Sequence, residues 1–246
     1  MILKQIKLTF LFSVLMSMIG LNTFAHDIEA ANTDGKTIYY NWINDNTELA
    51  VTFRGNTEDE YDNEYTGVLN IPQSVVLNEV TYPVTAIGDM AFALNTGLTS
   101  VNIPDGVTSI GMVAFYGYTA LSSFNMPKSL TSVIFTDNLF YECYNLTSIE
   151  VAEGNTKYDS RENCNAVIQK ADNTLALGCK NTIIPNSVTA IGKDAFAGCT
   201  EMTTINIPNT VTLINSEAFF DCTSLSSVNL PDNLKTIGKH AFRDCI

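Results

Sequence analysis

Histidine is nearly missing from this sequence. His26 and His240 are the only two, near opposite ends of a 246-residue chain. Base-assisted attack by serine or cysteine needs a general base held beside the nucleophile, and this scarcity leaves little room for it. Positive charge is also short: 13 Lys and Arg stand against 26 Asp and Glu, a net charge of −13. Nucleic acids and anionic membranes are bound through basic patches, so neither is an expected partner. The longest apolar run, Leu8–Leu21, has 14 residues, fewer than the ~20 that span a bilayer. No glycine-rich phosphate loop and no zinc-ligand spacing occurs, so no cofactor, no metal site and no catalytic residues are expected.

The first 25 residues read as an export signal. Lys4 and Lys7 precede the apolar run, and Thr23-Phe24-Ala25 sets small residues for cleavage before His26. Loss of those two lysines takes the charge from −13 to −15. Six cysteines in an exported chain raise the question of disulfides.

The sequence has internal repetition in abundance. Val188–Thr210, VTAIGKDAFAGCTEMTTINIPNT, is followed directly by Val211–Asn233, VTLINSEAFFDCTSLSSVNLPDN, each 23 residues long. Val84–Gly106 and Val107–Ser129 carry the same unit. Such a period means a stacked array whose core is built rung by rung. Within a rung, Ile205 and Ile207 alternate with Thr204 and Asn206, the period of a strand with one buried face. Val211 and Ile214 point inward from a second short strand. Gly88, Gly111, Gly192 and Gly238, with Asn215 in one unit, share a position that suits a sharp left-handed turn. Ala195-Phe196 is expected to begin a short helical turn, with Phe92, Phe115, Phe140, Phe196, Phe219 and Phe242 in one column. Cys143, Cys199, Cys222 and Cys245 also share one position, which reads as a ladder of buried, unbonded thiols.

Residues 26–83 read as an arm and a β cap. His26–Lys36 is polar and expected to be mobile; Ile38–Ile43 and Leu49–Phe53 read as strands, with Trp42 as an anchor of the small sheet. Glu58–Glu64 is acidic but lacks the alternate spacing of a calcium loop, so a solvated loop is expected. Val75–Leu77 and Val80–Tyr82 read as a hairpin. Residues 84–246 form the array, with an insert at about 152–187 and an incomplete last repeat. The insert holds a hairpin, Ala166–Gln169 with Thr174–Leu177. A symmetric turn would set Cys164 opposite Cys179 and allow a disulfide; two more buried thiols are the alternative.

The pattern Cys199-x-x-Met202-x-x-Ile205-x-Ile207-Pro208-x-x-Val211-x-x-Ile214-x-x-x-Ala218-Phe219 resembles the Treponema-type, BspA-like leucine-rich repeat, and the likeness covers roughly Leu69–Ile246. The insert sequences Asn163-Cys164-Asn165-Ala166 and Gly178-Cys179-Lys180-Asn181 resemble inserts in Bacteroidetes members. The resemblance implies a right-handed leucine-rich-repeat solenoid with a parallel sheet on its concave side, which with the helical turns gives an α/β, β-rich fold class. It also implies an exported or cell-surface protein, with some members acting as adhesins.

Two surfaces are candidates for partner contact. The outward strand positions Ser100 and Asn102, Ser123 and Asn125, Ser148 and Glu150, Thr204 and Asn206, and Ser227 and Asn229 make a polar ladder. Tyr116, Tyr118, Tyr141 and Tyr144 cluster on two adjacent turns and are the candidate exposed aromatics. Non-catalytic protein binding in adhesion is the leading expectation. A structural module of a longer surface protein and a carbohydrate-binding protein are its rivals.

Overall fold

The computed structural model describes residues 26–54, 64–136 and 139–245. The expected signal at 1–25 and all but Glu64 of the acidic tract lie outside the described residues. The chain opens with β1 (Ile28–Ala31), β2 (Thr37–Ile43), β3 (Glu48–Thr52), β4 (Gly67–Asn70), β5 (Ser74–Leu77) and β6 (Val80–Ile87). The first rungs supply β7 (Leu98–Asn102), β8 (Ser109–Ile110), β9 (Ser123–Met126), β10 (Ser132–Val133) and β11 (Ser148–Val151). The insert contributes β12 (Tyr158–Asp159), β13 (Ala166–Gln169) and β14 (Thr174–Gly178). The last rungs give β15 (Ala190–Ile191), β16 (Thr204–Asn206), β17 (Leu213–Ile214), β18 (Ser227–Asn229) and β19 (Thr236–Ile237).

The fold is therefore β-rich and essentially all strand, not α/β. The one helical element among the described residues is a single 3-10 turn at Arg161–Asn163. The expected helical turn does not form at the Phe residues, for a reason repeated in every rung whose turn lies wholly within the described residues. Two residues before the Phe, the chain takes a left-handed conformation at Met90, Val113, Asp194, Glu217 and His240, with φ between 48° and 61°. It does so again four residues later, at Leu94, Gly117, Gly198, Asp221 and Asp244, with Glu142 in the same column. A right-handed helix needs negative φ throughout. Alternate amides are also committed to the next rung: Phe92 N to Ala114 O at 2.9 Å, Phe196 N to Ala218 O at 2.8 Å, and Phe219 N to Ala241 O at 2.8 Å. The amides between them close tight local turns, such as Ala197 N to Asp194 O at 3.0 Å. The Phe segment is thus a third inter-rung ladder.

The glycine column is corrected as well. Gly88, Gly111, Gly192 and Gly238 are not among the residues with positive φ. They are small because backbone packs on backbone. A Cβ on Gly111 would lie 2.5 Å from the Asp89 nitrogen, and one on Gly238 2.5 Å from the Asn215 carbonyl carbon. The expected mobile arm is also replaced, because Ile28–Ala31 forms β1, which pairs antiparallel with β2, setting Ile28 opposite Tyr40. Trp42 is half-buried and meets the Tyr82 ring edge-on at 4.7 Å; the sheet's core is carried by Ile38, Tyr40, Leu49 and Val51, all fully buried.

The array is interrupted at the insert. One sheet runs β1-β2-β3-β6-β8-β10, with β5 on β6, and a second runs β12-β13-β14-β15-β17-β19. The outward-ladder strands pair as β4–β7, β9–β11 and β16–β18, three separate pairs. The Phe column likewise falls into two stacks. Phe92, Phe115 and Phe140 stack with centroids 5.4 and 5.1 Å apart, and Phe196, Phe219 and Phe242 at 5.0 Å each.

The β13–β14 hairpin lies between two cores. Val167, Ala176, Leu177 and Cys179 join the N-terminal core. Cys164, Ala166, Ile168 and Leu175 join the C-terminal one. Both faces of the hairpin are buried, so its strands read as unbroken apolar runs instead of alternating ones.

Candidate functional site

The polar ladder is set by strand alternation. In β9 and β11, Phe124, Met126, Ile149 and Val151 are buried, while Asn125, Ser148 and Glu150 are exposed and Ser123 half-exposed. Parallel pairing places Ser148 beside Ser123 and Glu150 beside Asn125. In the last rungs, Thr204 stands beside Ser227 and Asn206 beside Asn229, all four exposed. Ser100 and Asn102 lie on β7, beside Val68 and Asn70 of β4.

That last pairing extends the ladder beyond the sequence expectation. The Asn102 amide donates to Asn70 Oδ1 at 2.5 Å, and the Asn70 amide donates to Asp34. Asn70 was legible in the Leu69-Asn70-Ile71-Pro72 echo of the repeat; Asp34 had no signal, since it arrives through a loop. The ladder is nevertheless segmented. Between β11 and β16 the insert intervenes, with Asn165 Oδ1 accepting from Ile149 N at 3.4 Å and Asn181 Nδ2 donating to Thr147 O at 3.3 Å.

Beside the ladder, where β7 and β9 are not hydrogen-bonded to each other, a shallow groove of about 350 Å³ opens. Ile103, Met126, Pro127 and Ala152 line it, with Asp105, Asn125 and Glu150. Asp105 pairs with Lys128 at 3.1 Å, both side chains largely exposed.

The tyrosine expectation needs correction. Tyr116 is 6% exposed and Tyr118 fully buried. Tyr118 occupies the place held by Cys143 in the next rung, an inward position, and stacks on Phe115 at 6.2 Å. Tyr141 and Tyr144 are half-buried. The Tyr141 ring stacks with Tyr116 and with Phe220, each at 5.9 Å, and the Arg243 guanidinium lies 5.7 Å from the Phe220 ring centre. The rings of this column are used on one another, because Ala197 and Gly198 leave room for Tyr141 to lean across the intervening rung.

The thiols are structural. All six cysteines are unbonded. A bulge between Val167 and Ile168 shifts the hairpin register, so Ala166 faces Gly178 and Val167 faces Leu177. A shift of one residue turns a side chain to the other face, and Cys164 and Cys179 consequently enter different cores. The column thiols Cys143, Cys222 and Cys245 donate to the carbonyls of Phe115, Phe196 and Phe219 at 3.1, 3.2 and 3.1 Å. Burial pushes the Cys164 thiol up to about 11 and raises Cys143, Cys199 and Cys222 further, the opposite of what a nucleophile needs.

The two histidines stay apart from these thiols in role. His26 Nδ1 contacts Arg54 O at 3.0 Å and its ring meets Tyr39, while His240 is exposed in the left-handed column. Among the described residues no group of three or more His, Cys, Asp or Glu could hold a metal ion, and no helix is long and apolar enough to cross a membrane.

Comparison with known proteins gives a consistent picture. The family model described as BspA type leucine rich repeat region matches in six copies, over residues 72–172 and 175–246. Proteins of this family are interaction modules, not catalytic domains. No curated protein matches the sequence. Among solved structures, a leucine-rich repeat protein from Bacteroides ovatus is similar at 23% identity, with 82% of this chain and 54% of that one covered and a TM-score of 0.53. A leucine rich cell surface protein from Faecalibacterium prausnitzii shares 19% identity over 89% of this chain and 81% of its own, at a TM-score of 0.47. The T. pallidum leucine rich repeat protein shares 22% over 86% and 82%, at 0.45.

Proposed function

Because this chain belongs to the BspA-type leucine-rich-repeat family, we propose that it is an exported, non-catalytic protein that binds other proteins in adhesion or cell-surface contact. The strand face is its contact surface. The observation that carries this reading is the ladder: exposed hydroxyls and amides held at fixed spacing by parallel pairing, Ser123 beside Ser148 and Thr204 beside Ser227. Repeat arrays offer such faces to partners as extended surfaces. The side chains are short and ordered by their strands, so little rotamer freedom is lost on binding.

The test is a pull-down with residues 26–246 against immobilised host matrix proteins and whole-cell surfaces. A variant carrying Asn206→Arg and Asn229→Arg should lose the captured protein while keeping its melting temperature. Equal capture by that variant would remove the strand face from the account.

A further inference from the structure

The groove beside the ladder deepens that reading, and rests on it, by specifying what part of a partner fits. Its apolar lining comes from three rungs: the half-buried Ile103 from one, the buried Met126 and Pro127 from the next, and the exposed Ala152 from the third. The groove lies at the C-terminal ends of β7, β9 and β11, where β9 pairs with β11 and β7 is not hydrogen-bonded to β9.

The rim is acidic, and its two carboxylates differ. Asp105 is occupied by Lys128 at 3.1 Å. Glu150 is the one charged position in a column otherwise held by Asn70, Asn102, Asn125, Asn206 and Asn229. It is exposed and stands beside Asn125. Apolar groups from three rungs beside a carboxylate and an amide match a side chain with an aliphatic stem and a cationic head. The chain's charge of −13 favours the approach of such a group.

We propose that this groove receives an arginine or lysine side chain of the protein partner, its stem over Ile103, Pro127 and Ala152 and its head at Glu150. The Asp105–Lys128 pair at the same rim is the intramolecular version of the contact.

Small probes separate this claim from the ladder itself. Residues 26–246, labelled with nitrogen-15, would be titrated with N-acetyl-arginine amide and, in parallel, with the neutral N-acetyl-norleucine amide. Arginine should shift the amide signals of Asn125, Glu150 and Ala152, and norleucine should shift them far less. Glu150→Gln should weaken the arginine probe about three- to fivefold, the range of an exposed ion pair, while Asp232→Asn, which removes an exposed acid on the last rung, should leave it unchanged. Salt at about 0.5 M, where the screening length lies between about 3 and 10 Å, should weaken the probe in the wild-type chain, a check that needs no variant. Equal shifts from both probes, shifts spread over the whole acidic surface, or equal effects of the two substitutions would overturn the proposal. If the probe behaves as expected and matrix capture still fails, the groove stands and the adhesion reading falls.

Discussion

Tyr141 donates its phenolic hydrogen to Asp221 across 2.8 Å, although the two are 80 positions apart in the chain. The bond joins the last rung before the insert to the second rung after it. Burial, and next the bond to Asp221, raise the Tyr141 hydroxyl above its ordinary value, so it remains a donor at any physiological pH. A hydrogen bond to a charged group contributes about 1.5–3 kcal/mol. Tyr141→Phe should therefore destabilise by about that amount in urea unfolding. In a double-mutant cycle with Asp221→Ala, which removes the acceptor, the two should couple, by roughly 0.5–3 kcal/mol. Additive effects would mean that the bond does not hold the two blocks together.

The junction has a second contact that space alone controls. Gly178 stands where the Phe column lacks a ring, and its amide donates to Ala195 O at 2.8 Å. A Cβ there would run into the Phe196 ring, which is 1% exposed. A cavity of about 20 Å³ lies alongside, lined by Phe140, Leu177, Gly178 and Ala195 among others, too small to absorb a displaced ring. Gly178→Ala should cost about 1–3 kcal/mol by overpacking. Gly178→Ala should cost less in a Phe196→Leu background than in the parent, and an equal or larger cost there would refute the steric account.

The columns were legible because a 23-residue period writes each one into the sequence as a recurring letter. Phe92 and Phe115, or Asn206 and Asn229, announce their own alignment. What was hidden lies between rungs or against other segments. Met90, Val113, Asp194, Glu217 and His240 share a left-handed conformation but no residue type, because the ladder to the next rung imposes it and no side-chain preference does. The bulge at Val167/Ile168 has no letter of its own, and it decides which core Cys164 and Cys179 enter. The sequence does mark the burial of both hairpin faces: Ala166-Val167-Ile168 and Leu175-Ala176-Leu177 are unbroken apolar runs, the pattern of a strand buried on both sides.

Unbonded thiols make the fold indifferent to reductant. All six cysteines are free, so the melting temperature should be unchanged by dithiothreitol. Alkylation in denaturant without reduction should add six adducts, one per cysteine. A chain that gains adducts only after reduction would show that the hairpin pairs in a different register.

Stability should respond to pH through Glu64. Burial pushes its carboxyl up to about 7 from an ordinary 4.5, against the opposing hydrogen bond from the Arg54 amide and the Arg54 charge. An acid with a raised folded value binds more protons folded than unfolded, so ∂ΔG/∂pH is negative between the two values. Its contribution is most favourable below 4.5, falls as pH rises to about 7, and is constant above that. Glu64→Gln should therefore melt higher than the parent at pH 8 and equal to it near pH 4. The Arg54 amide, which donates to Glu64 Oε2 at 2.7 Å, retains an acceptor in the glutamine. A difference between the two proteins that does not depend on pH would exclude titration of this carboxyl as its cause.

Asn155 is the most heavily used buried side chain at the entry to the insert. It is 1% exposed. Its amide donates to Pro127 O at 3.1 Å and Leu130 O at 2.8 Å, and its oxygen accepts from Lys157 N and Tyr158 N at 3.0 Å each. One side chain thus ties the turn before β10 to the start of the insert, just past the last backbone bond of the β9–β11 pair, Ala152 N to Met126 O at 2.9 Å. Asn155→Ala would leave the Leu130 carbonyl and the Lys157 and Tyr158 amides without this partner, while Pro127 O keeps the Leu130 amide at 3.2 Å, and each unsatisfied buried group costs about 1–3 kcal/mol. Water can reach some of them in the loosened loop, so a net loss of about 3–5 kcal/mol is expected, at the upper end for a single substitution. Asn155→Asp keeps the two acceptor contacts, sets a carboxylate against two carbonyl oxygens, and should be no better than alanine at neutral pH. Its deficit should shrink in acid, where the protonated carboxyl regains one donor. Urea unfolding of the parent and both variants at pH 4 and pH 7.5 would decide it, and a loss below about 1 kcal/mol for alanine would mean that the insert is held by its apolar faces alone.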